Sequence, residues 1–230
     1  MLEAINLTKN YDQKSALTDL NLKVEAGEVY CLLGQNGAGK TTTINLFLGL
    51  IKPTSGKALV NGIAVDSDGD TRAHIAYIPE VVQLYGNMTG IENLGFFSQL
   101  AGFKYSKTEL VALLNKVGLR ESDHRQRLSS YSKGMRQKVG IAIALSKNAQ
   151  VIFMDEPTSG LDPKATDEFT AICKELASEG KALFMATHDL FNAVNVGSRI
   201  GIMKEGKLVY SADTATISAN ELQALYLKTI

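Results

Sequence analysis

The stretch Val29-Tyr30-Cys31-Leu32-Leu33-Gly34-Gln35-Asn36-Gly37-Ala38-Gly39-Lys40-Thr41-Thr42 decides the architecture of this chain. Val29 to Leu33 is short and continuously apolar, the pattern of a strand buried on both faces of a sheet. Gly34 to Thr41 fits G-x-x-x-x-G-K-[ST], and Thr41 to Leu50 reads as a helix that Pro53 and Gly56 follow. Strand, glycine-rich loop and helix in this order build a phosphate cradle. The glycines let successive backbone N–H groups turn inward, and the helix start adds its partial positive charge. Lys40 can then reach β- and γ-phosphates, and the Thr41 hydroxyl can bind Mg²⁺. A glycine-rich turn matching by chance would not be expected between such a strand and such a helix.

Upstream, Leu2 to Leu7 and Leu17 to Val24 read as strands, with a turn at Ala26-Gly27-Glu28. Downstream, Lys57 to Val60 and His74 to Ile78 read as strands, and Asn61-Gly62 as a turn. From about Gly86 to Ser146 the pattern is helical. Thr89 with Glu92, and Ser106 with Glu109, stand at capping-box spacing, Gly118 closes the second helix, and a third runs from Lys133 to Ser146. Alternation then returns: strand Val151 to Met154, helix Pro163 to Ser178, strand Ala182 to Ala186 and a helix from Asp189. A hairpin at Glu205-Gly206 and a helix from Ser218 follow. This pattern predicts an α/β fold: a P-loop core on a mixed sheet, an N-terminal antiparallel β region and an inserted α-helical lobe. One domain spans residues 1–230, its core at about 1–85 and 147–230 and its helical lobe at about 86–146.

A phosphate cradle needs acids beside it. Val151-Ile152-Phe153-Met154-Asp155-Glu156 delivers two consecutive carboxylates at the end of an apolar strand. Successive strand residues point to opposite sides, so the two acids can take different tasks. Asp155 is the candidate for holding Mg²⁺, and Glu156 for orienting and deprotonating an attacking water. Without the P-loop, an ordinary solvated strand end would be the simpler reading.

Taken together, these residues resemble the ABC ATPase family from Tyr11 to beyond His188, which is most of the chain. Five further elements stand in the family's order. Tyr11 corresponds to the aromatic that stacks on adenine. Pro79-Glu80 stands at the loop joining core and helical lobe. Tyr131-Ser132-Lys133-Gly134-Met135 stands at the signature, Ser159-Gly160-Leu161-Asp162 at the loop after the catalytic acid, and His188 at the histidine that contacts the γ-phosphate. The resemblance implies an ATPase using ATP and Mg²⁺, with Glu156, His188 and Lys40 catalytic and Thr41, Glu80 and Asp155 on the metal. Nucleotide contacts fall to Tyr11, Gly34, Gln35, Asn36, Gly37, Ala38, Gly39, Lys40, Thr41, Thr42, Ser132, Gly134 and Asp162. It further implies a head-to-tail dimer in which the signature of one subunit closes over the ATP of the other. With Glu156, Lys40 and Ser132 all present, a homodimer is the expectation.

Two departures from the family stand out. Tyr131, Lys133 and Met135 replace three residues of the usual Leu-Ser-Gly-Gly-Gln, while Ser132 and Gly134 remain. Lys133 either adds a positive charge near the nucleotide or points into solvent. Glu80 stands where glutamine is usual, which changes the charge around the metal. Both variants resemble the exporter branch whose spanning subunits are separate six-helix proteins. The segment Glu80 to Met88 is expected to receive such a permease subunit, through Leu84, Tyr85 and Met88, whereas Phe96 and Phe97 are expected to pack the helical lobe.

Composition bounds the alternatives. With 24 Lys plus Arg against 24 Asp plus Glu, the chain has no basic stripe for nucleic acid. Cys31 and Cys173 lie in apolar stretches, so buried reduced thiols are expected rather than a disulfide or metal site. Met1-Leu2-Glu3-Ala4 has neither a basic start nor an apolar signal region, and no apolar run approaches the roughly 18 residues that span a bilayer. The chain therefore reads as cytoplasmic, reaching the inner face of the membrane through its partner. A non-transport ABC protein acting on a cell-division or envelope partner is the alternative, and a neighbouring gene for a six-helix membrane protein would favour transport. Ribosome- or DNA-acting relatives commonly carry tandem cassettes or a coiled-coil insertion, and neither is present. A P-loop kinase or GTPase would leave Ser132-Lys133-Gly134 and His188 unexplained. The transported substrate is chosen by the partner, so no residue here identifies it.

Overall fold

The chain opens with two antiparallel strands, β1 (Leu2–Tyr11) and β2 (Lys14–Val24), and then enters β3 (Val29–Leu33), the glycine-rich loop and α1 (Lys40–Phe47). The computed structural model describes residues 1–12, 14–65 and 70–230. Strands β4 (Ser55–Val60), β5 (Ile63–Ala64) and β6 (Ile75–Ile78) precede three helices, α2 (Gly90–Leu100), α3 (Lys107–Lys116) and α4 (Lys133–Ser146). The remainder alternates: β7 (Val151–Asp155), α5 (Pro163–Ser178), β8 (Ala182–Thr187), α6 (Leu190–Val196), β9 (Arg199–Lys204), β10 (Lys207–Asp213) and α7 (Ala219–Thr229).

Two sheets result. The antiparallel sheet has order β2-β1-β4-β5, and the larger has order β10-β9-β3-β8-β7-β6, parallel apart from the β9–β10 hairpin. The central strands β3, β7 and β8 are buried along almost their whole length because both faces are covered. Cys31, Leu33, Ile152, Met154, Leu183 and Met185 face one buried cluster, which also takes in residues of α4 and α5. Their neighbours Tyr30, Leu32, Phe153 and Phe184 face the other, with Ile44, Leu46 and Phe47 of α1 and the antiparallel sheet. On this second side the Tyr30 and Phe184 rings stack at 5.8 Å, and Phe153 sits 5.7 Å from both Phe47 and Phe184. These rings hold α1, and so the glycine-rich loop, against the sheet.

Local signals place most helix starts. Thr89, Ser106 and Ser218 each close a capping box, with Glu92, Glu109 and Glu221. Ser132, Asp162 and Asp189 cap α4, α5 and α6 by accepting the backbone N–H of the residue three further on. The first strand runs longer than its apolar stretch. It continues through a bulge at Asn6, whose φ is +48°, where pairing with both β2 and β4 shifts register. Gly56 of β4 lies against this bulge at φ +78°, and a Cβ built there would collide with the Asn6 carbonyl oxygen. Gly56→Ala is therefore expected to lower stability by about 2–4 kcal/mol, from backbone strain and overpacking together. Urea unfolding checks this, and a loss under about 0.5 kcal/mol would contradict the close approach.

Phe96 departs from expectation. It is exposed and meets Tyr85 edge-on at 5.3 Å, while Phe97 is half-buried and stacks on Tyr85 at 6.0 Å. The face of α2 carrying Asn93, Leu94 and Ser98 is the one that is buried; the helical period sets Phe97 on that face and turns Phe96 away from it. Both cysteines are buried and free, and burial pushes the Cys31 thiol up to about 12. Among the described residues no helix is long and apolar enough to cross a membrane.

Candidate functional site

The site forms where β3, β8 and β7 end together, in the crevice beyond the carboxyl ends of parallel strands. Register brings this about: Leu33 pairs with Thr187 and Asp155 with Ala186, so the residues that follow emerge side by side. The glycine-rich loop leaves β3 and folds over its own lysine. Lys40, almost fully buried, donates from Nζ to the Gly34 carbonyl at 2.6 Å and to the Gln35 carbonyl at 3.4 Å. Gly39, at φ +110°, precedes α1, where a Cβ would meet the Ala16 carbonyl oxygen at 2.8 Å. The hairpin turn at Glu205-Gly206 braces the loop, its Gly206 N–H donating to the Ala38 carbonyl at 3.0 Å.

The two acids diverge as their tasks require, but by a different device from strand alternation. The strand β7 ends at Asp155, and Glu156 turns off it in a left-handed conformation, φ +45°. A non-glycine residue there is strained, and such strain concentrates at functional positions. The Glu156 N–H is tied to the Ala186 carbonyl at 2.8 Å. Asp155 faces α1, where its Oδ2 accepts the Thr41 hydroxyl at 3.1 Å. Glu156 faces the other way, with Oε1 3.7 Å from Lys40 Nζ and Oε2 2.8 Å from His188 Nδ1. Burial pushes the Asp155 carboxyl above its usual range; the Thr41 hydroxyl opposes that rise, and the nearby Glu156 and Glu80 carboxylates add to it. A bound cation would reverse this penalty.

Gln35, Asn36, Gly37, Gly39, Lys40, Thr41 and Thr42 line a cleft of about 230 Å³ with Glu80, Asp155 and Glu156. Its oxygen donors, one hydroxyl and carboxylates, suit Mg²⁺, which typically takes one or two carboxylates and fills its shell with water and phosphate. No cluster of three or more His, Cys, Asp or Glu at metal-holding distance occurs among the described residues.

Other expected residues lie elsewhere. Tyr11 is 45% exposed on β1, with Lys9 Nζ 4.9 Å from its ring centre. Ser132 and Gly134 open α4 and line a separate cleft of about 370 Å³ that also touches Asp162. Asp162 caps α5 by accepting the Ala165 N–H at 2.9 Å, so its carboxylate is engaged away from the glycine-rich loop. Within one chain, then, Ser132, Gly134 and Asp162 do not share the Lys40 cleft.

The structure accounts for the unusual side chains around Ser132. Tyr131 is buried and its hydroxyl donates to the Asp123 carbonyl at 2.5 Å. Met135 packs against the main hydrophobic cluster. Lys133 is half-buried and lies over Gly160, where a Cβ would stand 3.6 Å from its Nζ. Two contacts lay beyond reading from spacing: Gln137, buried, donates to the Pro157 carbonyl at 2.9 Å, and the Ser159 hydroxyl donates to Glu80 Oε1 at 3.1 Å. The only trace of the first in the sequence is a polar residue on the otherwise apolar face of a helix.

Comparison with known proteins agrees with this geometry. A family model described as "ABC transporter" matches residues 17–159. The probable multidrug ABC transporter ATP-binding protein YbhF of Escherichia coli is 35% identical over 228 residues, covering 97% of this chain and 39% of that protein. The chain thus spans well under half the length of that relative. The lantibiotic transport ATP-binding protein SrtF of Streptococcus pyogenes is 36% identical over 209 residues, covering 91% of this chain and 89% of SrtF. Among solved structures, the dimeric post-hydrolysis state of the ATP-binding cassette MJ0796, bound to ADP and Pi, superimposes with a TM-score of 0.81. It is 27% identical, covering 93% of this chain and 99% of that one.

Proposed function

The chain belongs to the ABC transporter family, and on that premise we propose that it is the ATP-binding and hydrolysing subunit of an exporter whose membrane-spanning part is a separate polypeptide. The observation that carries the proposal is the convergence of Lys40, Glu156 and His188, at 3.7 and 2.8 Å, beside the Thr41–Asp155 pair at the phosphate cleft. Lys40 is placed to neutralise the phosphates cradled by Gly34 to Thr42. Glu156 is placed to orient the attacking water and take its proton, and His188 holds the carboxylate in position through the 2.8 Å contact. Thr41, Asp155 and Glu80 would hold Mg²⁺, which supplies charge neutralisation across the β- and γ-phosphates when bound. Tyr11 offers its exposed ring for the adenine.

Since Ser132 and Gly134 stand apart from the Lys40 cleft, their phosphate-binding helix start completes a second chain's site. The unit that works is a head-to-tail homodimer with ATP at the interface, closed by nucleotide and opened by hydrolysis. This reading is tested by phosphate release from Mg-ATP at chain concentrations that bracket the monomer–dimer midpoint. Turnover per chain should rise with concentration; a rate per chain that stays constant across that range would sink the shared site.

The partner is expected on the surface of Tyr85, Phe96 and Met88, beside Glu80. Tyr85 is 49% and Phe96 41% exposed, and an aromatic cluster so placed is a suitable anchor for an apolar helix. Docked there, the chain lies on the inner face of the membrane without entering it. Tyr85→Asp together with Met88→Asp should abolish co-purification with the spanning subunit while ATP turnover of the isolated chain changes less than about twofold. Retained association would place the docking surface elsewhere.

A further inference from the structure

Lys133 and Glu80, the two charged departures from the family pattern, converge on one short loop. Pro157 to Asp162 follows the strained Glu156 and leads into α5. The first two turns of α4 cover it: Lys133 lies over Gly160, Gly134 packs against Leu161 and Ala165, and Gln137 bonds the Pro157 carbonyl at 2.9 Å. From the cleft side, Glu80 Oε1 accepts the Ser159 hydroxyl at 3.1 Å. Inside the loop the Ser159 N–H returns to the Glu156 carbonyl at 3.1 Å, and Gly160 takes φ +67°. The loop is therefore gripped between a cation on the α4 side and a carboxylate on the cleft side. Glycine at position 133 would remove the first grip, and glutamine at position 80 would weaken the second to a neutral hydrogen bond.

We propose that Lys133 and Glu80 are paired positioning residues that hold the Ser159–Asp162 segment between them and thereby set the backbone that carries Glu156. The pairing rests on the ATPase reading for its consequence, but not for its structural content. The lysine is half-buried, and its ammonium and stem lie against Gly160. Both contacts act on the same short loop, so losing either releases the segment that the other holds.

Hydrogen exchange on the nucleotide-free chain tests this without reference to turnover. Lys133→Ala and Glu80→Gln should each speed exchange of the amides from Ser159 to Asp162 by about fivefold or more, and the double variant should add less than about twofold to either. Lys133→Arg should keep exchange near the parent rate. In steady-state assays with Mg-ATP, Lys133→Ala should lower kcat about threefold to tenfold with KM for ATP unchanged, and Lys133→Arg should restore it. Unchanged exchange in either single variant would overturn the pairing, as would effects that multiply in the double variant or spread through α4 and β7. If exchange responds as expected in a chain that shows no ATP turnover, the pairing stands and it is the ATPase reading that fails.

Discussion

Glu156→Gln is expected to lower ATP turnover by about 10²–10⁴-fold, the range for loss of a general base, while leaving ATP binding intact. The glutamine keeps the shape of the side chain and an oxygen that can accept from the His188 N–H, which now lies 3.3 Å from Glu156 Oε2. It loses the capacity to take a proton and the charge that faces Lys40 at 3.7 Å. ATP should therefore stay bound and uncleaved, holding two chains together. Solution mass measured with and without Mg-ATP should show a nucleotide-dependent shift from monomer to dimer. Normal turnover in this variant would remove Glu156 from its role. An inactive variant that stays monomeric with ATP would show that Ser132 and Gly134 do not close over a second chain's nucleotide.

Lys40→Ala should cost about 10²–10³-fold in turnover, the scale for removing one preorganised charge from a transferring group, and should weaken ATP binding as well. The Lys40 ammonium is nearly buried, held by the Gly34 and Gln35 carbonyls, and faces the cleft that Gly37, Thr41 and Glu80 share. Lys40→Arg should not restore activity, because a planar guanidinium cannot occupy the compact position of an ammonium enclosed by its own loop. Phosphate release and nucleotide titration together check both statements. A loss of tenfold or less in the alanine variant would mean that the helix start and Thr41 carry the phosphates without the lysine.

The contrast between these two variants is a test of mechanism. Glu156→Gln separates hydrolysis from binding, so dimer should accumulate; Lys40→Ala impairs both, so dimer should not form at any ATP concentration that saturates the parent chain.

What the sequence determined by itself is what short-range spacing encodes. The strand–glycine loop–helix unit at Val29 to Thr42, the capping boxes at Thr89, Ser106 and Ser218, and the acids closing β7 are each set by residues within a few positions of one another. Hydrogen-bond geometry and side-chain period act at that range, so the pattern is visible before folding. Helix α4 and helix α5 were legible to the residue for the same reason. The tertiary structure decided the rest. It set the turn of Glu156 out of line, the parallel register that brings His188 to it, the bulge at Asn6, and the surface position of Phe96. It also placed Lys133 over Gly160 and Glu80 on Ser159. Glu80 and Ser159 are 79 positions apart, and His188 and Glu156 are 32 apart. No local periodicity records such pairings; they exist only once packing of the two faces of the parallel sheet has fixed which strand ends meet.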